Sequence, residues 1–444
     1  MNQWSRILIA CCTLILARPA MAAIQILVDQ PEDNRFPIAI ANVVAGDGFS
    51  GDSALLKKIP EIIRNDLNFS GYFFVIHPKI YQDKSVAVGS GDIPFEKWSA
   101  IGARGLVKGF ATGVGDRITV QLRLFDVNSK EMQMGKEYTF SAADLRTIAH
   151  RFSDEIMKSA TGTRGPFSTK IAYTLTTGSG KKSAWKQIYV MDIDGANGWR
   201  ATKDRSYNLA PNWSPDGKHL VFTSYVDGFP DIYTIDVGNG QRTRITSNES
   251  TNITPTFSRD GSWIAFSSGM AKDMEIYLVP SFGGEPRVFA PSFGADLSPR
   301  FSPDGNEVVF ASERGGKLNL YKKAMGDGGT PTRITFHGGL SDSPDWSPDG
   351  TKITFATFGA NVYQIYTIHP DGSGLKRLTF EGSNEHPRWS PDSRYITYHN
   401  TVGRKSRVYV MRFDGVNKTP ITKGHDATLP DWGPWPMAYY EDME

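Results

Sequence analysis

Cysteine is almost absent from the 444-residue chain. The only two, Cys11 and Cys12, are adjacent and close to the N-terminus. Long apolar runs are absent as well. The run from Ile7 to Ala17 is shorter than the about 20 residues that a helix needs to cross a membrane core, and no later run exceeds it. We therefore expect no transmembrane segment, and a fold stabilised by hydrophobic cores rather than by disulfides.

The first residues have the order of an export signal. Arg6 is followed by the apolar run, and Ala20-Met21-Ala22 has the small residues that signal peptidase recognises, so we predict cleavage after Ala22. Leu8-Ile9-Ala10-Cys11 resembles a lipidation site, but the apolar run continues beyond it, which favours an ordinary leader. Both cysteines then leave with the leader, and the mature protein is an exported, soluble chain without thiols.

The predicted mature chain also has no net charge. Loss of two arginines with the leader reduces the 49 basic residues to 47, which equals the number of acidic residues. No overall field attracts nucleic acid, so we predict no nucleic-acid partner and recognition through local surfaces. The composition, 39% apolar and 22% charged, is that of a globular protein. About 420 residues suffice for two or three domains with large cores, and we expect a monomer.

Motifs for catalysis and metal binding are absent too. No G-x-S-x-G stands between a strand and a helix, and the chain has neither H-E-x-x-H nor a phosphate-binding glycine loop. Asp192, Asp194 and Asn197 have the spacing of a calcium loop, but the distal glutamate is missing, and an Asp-Gly turn explains them. We predict a non-enzymatic protein without a cofactor or a resident metal ion.

A repeat dominates the second part of the chain. The block P-x-[WF]-S-P-D-G, with small variations, begins at Pro211, Pro255, Pro299, Pro344 and Pro387, and a shortened copy, PDWGP, begins at Pro430. The spacing of 43 to 45 residues is typical of propeller blades. Each copy contains four strand-like pieces with alternating apolar residues, which predicts a four-stranded blade.

The ends of the repeat predict how the ring closes. The chain enters with Lys170–Thr174 as a second strand, Gln187–Asp192 as a third and Trp199–Thr202 as a fourth, and no first strand precedes them. Leu429–Trp432 is a first strand with nothing after it. Joining both ends gives an all-β six-bladed β-propeller that is closed by the C-terminal strand and has no open edge.

The segment before the repeat has a mixed pattern. Ser53 can cap a helix with apolar residues at helical spacing from Leu55 to Leu67, and Ala143–Ala160 predicts a second helix that ends before Gly162. Strands are predicted at Tyr72–His77, Leu106–Ala111, Ile118–Val127 and Glu137–Ser141. We therefore divide the chain into a signal peptide (1–22), an α/β N-terminal domain (23–160), a linker (161–166) and the propeller (167–444).

These features together resemble the TolB family, the periplasmic component of the Tol-Pal cell-envelope system. The WSPDG repeat alone also occurs in propellers that gate peptidases. The order of domains, the entry FSTKIAYT at Phe167–Thr174 and the ending PDWGP narrow the choice. The resemblance implies the periplasm of a diderm bacterium and binding of the peptidoglycan-associated lipoprotein Pal by the propeller. It also implies contact of the mature N-terminus with TolA, and a role in outer-membrane integrity and envelope constriction during cell division.

One propeller face is the predicted docking surface. The loops that precede first strands share it with the loops between second and third strands, and rigid scaffolds commonly bear function on such loops. The resemblance places Pal contacts just before the prolines of the second and third motifs. The predicted partner-binding residues are Thr251, Asn252, Thr254, Asp296, Leu297, Ser298, Asp342, Ser343, Glu385, His386 and His425. Acidic residues around this channel mouth could also attract a cation.

A second predicted contact is the N-terminal segment Ala23-Ile24-Gln25-Ile26-Leu27-Val28-Asp29. Its alternating apolar residues suit an edge strand of the small domain and equally a strand added to a partner's sheet. The resemblance implies docking on the propeller and release to TolA as alternative states.

A different function remains open on the residues, a propeller that binds a small ligand or a glycan in its central channel. Convergent polar and aromatic residues in the channel would favour that function, whereas a broad ring of loop residues would favour protein docking.

Overall fold

A computed structural model describes residues 35–83, 90–115, 117–178, 184–326, 328–424 and 426–437. The predicted signal peptide, the segment Ala23–Asp29 and His425 lie outside the described residues. No helix within these ranges is both long and apolar enough to cross a membrane.

The N-terminal domain contains a five-stranded sheet. Its strands are β1 (Phe36–Ala45), β2 (Phe73–Val75), β3 (Gly105–Val114), β4 (Arg117–Asp126) and β5 (Met132–Ser141). In the order β2-β1-β3-β4-β5, the first three strands are parallel and the remaining pairs are antiparallel. Strands β2 to β5 were predicted from the sequence, and β1 was not.

Within the described residues three α-helices accompany the sheet, α1 (Ser53–Ser70), α2 (Phe95–Ser99) and α3 (Leu145–Thr161). The predicted cap at Ser53 is wrong: Asp52 caps α1, because its Oδ1 accepts a hydrogen bond of 2.8 Å from Ala54 N, while Ser53 is already helical. Gly162 ends α3 in the left-handed conformation, as predicted. The apolar faces of α1 and α3 pack against the sheet, which gives the domain a core of its own.

Six four-stranded sheets form the propeller, as predicted. Blade 1 is β9 (Asn208–Trp213), β10 (His219–Ser224), β11 (Asp231–Asp236) and β12 (Arg242–Arg244); blade 2 is β13 (Asn252–Phe257), β14 (Trp263–Ser268), β15 (Glu275–Pro280) and β16 (Arg287–Val288); blade 3 is β17 (Asp296–Phe301), β18 (Glu307–Ser312), β19 (Asn319–Ala324) and β20 (Thr332–Arg333); blade 4 is β21 (Leu340–Trp346), β22 (Ile353–Gly359), β23 (Val362–Ile368) and β24 (Lys376–Arg377); blade 5 is β25 (Ser383–Trp389), β26 (Tyr395–Val402), β27 (Lys405–Arg412) and β28 (Thr419–Pro420). Blade 6 is β29 (Ala427–Trp432), β6 (Lys170–Thr177), β7 (Trp185–Asp192) and β8 (Trp199–Arg200).

Blade 6 closes the ring from both ends of the propeller sequence. β29 pairs with β6 in antiparallel register, from Ala427 opposite Leu175 to Trp432 opposite Ile171. The first strands of neighbouring blades contact each other around the whole ring, and β29 contacts β9 as the last step. Closure by the C-terminal strand is therefore confirmed, and β29 covers the edge of β6 that would otherwise be unpaired.

The antiparallel order gives the propeller two faces. The turn face carries the Ser-Pro-Asp-Gly turns and the turns between third and fourth strands. The loop face carries the loops that precede each first strand and the loops between second and third strands. In blade 1, Ser214 Oγ donates to Asp216 Oδ1 at 2.5 Å and accepts from His219 N at 2.9 Å, while Gly217 adopts φ 69°. The same Ser–Asp hydrogen bond recurs in blades 2 to 5 and makes each of these hairpins tight.

The N-terminal domain docks on the turn face. Arg146 of α3 donates to Asp192, the last residue of β7, at 3.1 Å and to Asp194, in the turn between β7 and β8, at 2.6 Å. Tyr395, which follows the turn of blade 5, donates to the Ser70 carbonyl at 3.0 Å. A single apolar cluster runs from the domain into blades 5 and 6 through residues such as Ile193. The named contacts leave the loop face on the opposite side of the ring.

Candidate functional site

A ring of left-handed residues surrounds the channel on the loop face. Each blade has one such residue directly before the proline of its first strand, with φ between 50° and 55°. The six are Ala210, Thr254, Ser298, Ser343, His386 and Leu429. None is glycine, so each position costs about 1–3 kcal/mol of backbone strain. Because the same strained conformation recurs at the same position in all six blades, it is a regular feature of the loop face.

The proline explains the local conformation. It has no N–H for the ladder with the second strand, and the register between first and second strands shifts at this point in all six blades. In blade 1, Ala210 and Pro211 together stand opposite Phe222, which makes a β-bulge. The bulge turns the residue before proline out of the normal alternation and toward the mouth of the channel.

Behind this mouth the channel is nearly closed. The cavity lined by five of the left-handed residues, all except Ser343, and by Arg300 and Arg388 has a volume of about 20 Å³, which is room for about one water molecule. The residues that directly follow the six prolines are Asn212, Thr256, Arg300, Asp345, Arg388 and Asp431. They form a polar ring across the channel.

Ion pairs and hydrogen bonds connect the polar ring. Asp431 lies 3.6 Å from Arg300 and 3.5 Å from Arg388, and it accepts hydrogen bonds from Asn212 Nδ2 at 3.1 Å and from Trp213 N at 2.9 Å. Burial raises the pKa of Asp345 to about 6 and lowers that of Arg388 to about 10, although the opposite charges counteract both shifts.

On the turn face the channel opens into a vestibule of about 340 Å³. Aromatic side chains from the repeat motif line it together with the polar ring. Three of them, Trp213, Trp346 and Trp389, have buried indole N–H groups without a hydrogen-bond partner within the described residues. Trp432 instead donates to Thr169 Oγ1 at 2.8 Å. The channel therefore has the convergent polar and aromatic residues of a ligand site, reached from the turn face.

The predicted docking residues fall into three groups. The structure places all of them except His425 on the loop-face end of a first strand or in the loop before it. Thr251 is exposed, while Thr254, Leu297, Asp342, Glu385 and His386 are half-buried. Asn252, Asp296, Ser298 and Ser343 are buried. The third group therefore has its side chains inside the loop structure, where it shapes the surface without presenting itself to a partner.

Asp296 illustrates this internal role. Its carboxylate pairs with Arg314 at 2.6 Å and lies beside the Glu275 carboxyl group. Burial raises the pKa of Glu275 to about 7, and the charge of Asp296 adds to the rise. Glu275 Oε2 has no hydrogen-bond partner within the described part of the chain. Two buried carboxyl groups thus meet beneath one of the predicted docking loops.

Exposed aromatic residues on the loop face were missed by the sequence analysis. They include Tyr225, Phe229, Phe293, Phe336 and Phe380, and Phe293 is 93% exposed. Arg333 lies 4.8 Å from the ring of Phe336, and Arg377 lies 4.7 Å from that of Phe380. Aromatic and arginine side chains are enriched where proteins bind proteins. An aromatic residue after the fourth strand was visible in the repeat, but its exposure depends on the packing of the next blade.

Two groups of possible metal ligands occur within the described residues. Glu385, His386 and His399 offer one donor atom each on the loop face, within 4.8 Å of one another. Burial lowers the pKa of both histidines, of His399 to about 4, so both imidazoles are neutral. The second group is His150, Asp192 and Asp194 at the interface between the domains.

The second group is already engaged by protein cations. Asp192 contacts Arg146 and Lys170, and Asp194 contacts Arg146. The motif that resembled a calcium loop is an Asp-Gly turn, in which Gly195 N donates to the Asp192 carbonyl at 2.9 Å. A network of ion pairs that joins the two domains accounts for these carboxylates.

Comparison with known proteins identifies the family of the chain. Residues 157–436 match the model of the TolB beta propeller domain, and residues 24–133 match that of the TolB amino-terminal domain. The chain belongs to the TolB family. The first match covers more than half of the chain, and the two together follow the order of domains that the repeat and the α/β pattern predicted.

TolB proteins from several bacteria are similar to the chain. The Tol-Pal system protein TolB of Syntrophotalea carbinolica is 35% identical over 223 residues, 50% of each chain, and that of Geobacter sulfurreducens is 39% identical over 173 residues, 39% of each chain. The chain thus spans half or less of the length of these curated relatives. A crystal structure of TolB from Acinetobacter baumannii has a TM-score of 0.80 at 27% identity and covers 93% of this chain and 98% of that one. The whole two-domain architecture is therefore that of TolB.

Proposed function

We propose that the protein is a non-enzymatic periplasmic component of the Tol-Pal system whose loop face binds the lipoprotein Pal. The observation that supports this most is the set of exposed aromatic residues in the loops of the loop face. This face lies opposite the one on which the N-terminal domain docks, and the channel cavity behind it, at about 20 Å³, is too small for a ligand. The curated relatives carry the name of a Tol-Pal component and no name of an enzyme.

Binding of Pal can be tested with a matched pair of variants in blade 2 and the loops that flank it. Thr251→Arg with Phe293→Arg changes two exposed side chains on the loop face. Ser262→Arg with Phe282→Arg changes two exposed side chains of similar type on the turn face, where Phe282 is 85% exposed. Calorimetry with purified, delipidated Pal is expected to show at least a tenfold weaker affinity for the first variant only. An equal effect of both variants, or of neither, would contradict docking on the loop face.

The N-terminal segment is proposed as the TolA contact. A chain that lacks residues 23–29 should lose binding to the periplasmic part of TolA and keep binding of Pal. A synthetic peptide of residues 23–34 should compete with the mature chain for TolA. Loss of Pal binding together with TolA binding would show that the deletion disturbs the propeller, and unchanged TolA binding would place that contact elsewhere.

A second candidate function is the binding of a small ligand or a glycan in the turn-face vestibule. Its volume of about 340 Å³ falls within the range of ligand pockets, and three buried indole N–H donors there lack partners. Titration with peptidoglycan fragments, followed by tryptophan fluorescence, tests this function. Trp389→Phe removes one donor and keeps an aromatic ring, so it should weaken binding of a specific ligand. No saturable change in the wild-type protein would exclude this class of ligand.

A further inference from the structure

We propose that Glu385, His386 and His399 form a binding site for a divalent transition-metal ion such as Zn²⁺ on the loop face. Two imidazole nitrogens and one carboxylate oxygen lie within 4.8 Å of one another. Imidazole and carboxylate donors together suit Zn²⁺, Cu²⁺ and Ni²⁺ better than they suit Ca²⁺ or Mg²⁺.

The backbone of blade 5 brings the three residues together. Glu385 on β25 stands directly opposite His399 on β26, which places their Cβ atoms about 4.5–5.5 Å apart. Adjacent residues of a regular strand point to opposite sides, so His386 would normally turn away from Glu385. The left-handed conformation at His386, with φ 52°, removes that alternation. Its ring stacks on that of His399 with 5.4 Å between the ring centroids.

The ring nitrogens are available for an ion. His386 Nδ1 is buried and has no hydrogen-bond partner within the residues described. His399 Nδ1 accepts a hydrogen bond from Leu429 N, but at 3.5 Å that bond is weak. Glu385 accepts a hydrogen bond only from a hydroxyl group, that of Ser383 at 3.2 Å, in the part of the chain described. This distinguishes the cluster from His150, Asp192 and Asp194, whose carboxylates already pair with Arg146 and Lys170.

The distances require a small adjustment. Bonds of about 2.0–2.2 Å place two ligands of one tetrahedral ion roughly 3.3–3.6 Å apart. The donor atoms lie within 4.8 Å of one another, so side-chain rotations that move them by about 1 Å give that geometry. Three protein ligands leave a fourth coordination position for water or for a donor from a bound molecule. The nearby Asp342 carboxylate adds negative charge, while Arg388 on the same strand, Arg300 on β17 and Lys186 on β7 oppose it.

The other blades show that the fold does not need this cluster. At the position of His386 they have alanine, threonine, serine, serine and leucine. At the position of His399, blade 2 has Ser267, whose hydroxyl hydrogen-bonds that of Thr254 at 3.0 Å. Small hydroxyl residues therefore satisfy the bulge without any imidazole. The histidine pair and Glu385 are an addition that blade 5 alone carries among the described blades.

The same comparison supplies the test variant. His386→Thr with His399→Ser copies the Thr254–Ser267 pair of blade 2 into blade 5 and should keep the fold. Calorimetric titration of the untagged mature chain with ZnCl₂, after removal of bound metal with EDTA, is expected to give one saturable site. The double variant is expected to bind Zn²⁺ at least tenfold more weakly, and CaCl₂ and MgCl₂ should give no comparable binding to the wild-type chain. Unchanged Zn²⁺ affinity in the double variant would overturn the proposal.

A spectroscopic measurement needs no variant. Cu²⁺ bound to the wild-type chain at equal molar amounts should show electron paramagnetic resonance couplings from two nitrogen ligands. Couplings that are absent, or that persist in the double variant, would place the ion elsewhere. Thermal unfolding of both proteins in EDTA, followed by circular dichroism, checks that the variant is folded. Because Pal and TolA take no part in these measurements, their outcome is independent of the proposed docking function.

Discussion

At the scale of single residues, the buried carboxyl groups of Glu275 and Asp296 are expected to have a measurable pH effect. The equivalent third-strand positions in three other blades have Gln187, Asn319 and Gln364, which are amides. Glu275 is 4% exposed, and its pKa rises from 4.5 in the unfolded chain to about 7 in the folded one. The folded state therefore holds this proton more tightly, so stability falls as the pH rises from about 4.5 to 7.

Glu275→Gln should remove this loss. We expect the variant to be more stable than the wild type by about 1–2 kcal/mol at pH 8, and by little at pH 4.5. Urea unfolding at both pH values measures the difference, with the exposed Glu285→Gln as the control. A variant that is less stable at pH 8 would show that the carboxylate is stabilised by a contact beyond those named.

A second residue-scale prediction concerns Asp431 in the polar ring. It accepts backbone and side-chain hydrogen bonds from blade 1 and faces Arg300 and Arg388 across the channel. Asp431→Ala leaves both guanidinium groups with less compensation, so we expect a loss of about 3–5 kcal/mol in the free energy of unfolding. The exposed Asp47→Ala serves as the control. Equal stability of the two variants would show that the polar ring does not stabilise the closed propeller.

At the scale of elements, α3 connects the two domains. Arg146→Met breaks its pairs with Asp192 and Asp194, and we expect about 1–3 kcal/mol of destabilisation. Hydrogen exchange should accelerate in α3 and in the turn between β7 and β8. Lys158→Met, an exposed change on the same helix, is the control and should leave both unaffected. Faster exchange spread over the whole propeller would show instead that the pairs stabilise the ring itself.

The pH behaviour of this interface has a defined sign as well. Burial lowers the pKa of His150, but its 2.9 Å contact with the Asp66 carboxylate outweighs burial and raises the pKa overall. A raised histidine pKa contributes stability that is present at low pH and is lost as the pH rises through the folded value. His150→Gln should therefore lower stability more at pH 5.5 than at pH 8.5, which thermal unfolding at the two pH values measures.

The elements show what the sequence could predict. The Ser-Pro-Asp-Gly hairpins followed from local turn chemistry, and the strand pattern of each blade followed from its alternation of apolar residues. The cap of α1 was assigned one residue late, because Asp52 and Ser53 are both good caps and only the backbone distinguishes them. The strand β1 was not predicted, because its apolar run is compatible with a helix as well as with a strand.

The candidate site was harder to predict than the fold. Repeat spacing located the loops, but burial inside each loop depends on contacts with the next blade, as Asp296 and Arg314 show. Glu385 and His386 were predicted as docking residues, but their proximity to His399 was not. The bulge at the proline, which no single-strand pattern reveals, put them with His399 on one side.

At the scale of the whole molecule, closure depends on β29. Deletion of residues 427–444 removes the first strand of blade 6 and exposes the edge of β6. We expect oligomers or aggregates in size-exclusion chromatography and a loss of cooperative unfolding, because unpaired edges associate. Addition of a peptide of residues 426–437 should restore part of the monomer. A truncated chain that stays monomeric and unfolds cooperatively would show that five blades and a partial sixth suffice.

Closure by β29 also sets the order in which the protein can become native. The partner strand β6 is made about 250 residues earlier, so this pairing has one of the largest sequence separations in the chain and forms slowly. The N-terminal domain rests on blades 5 and 6, and blade 6 is incomplete until the last strand has been synthesised. A chain whose synthesis stops early therefore lacks the strand that closes the ring. It also lacks a complete blade 6, on which the N-terminal domain packs. Such a product presents an unpaired edge to chaperones and proteases, so the arrangement distinguishes finished chains from unfinished ones.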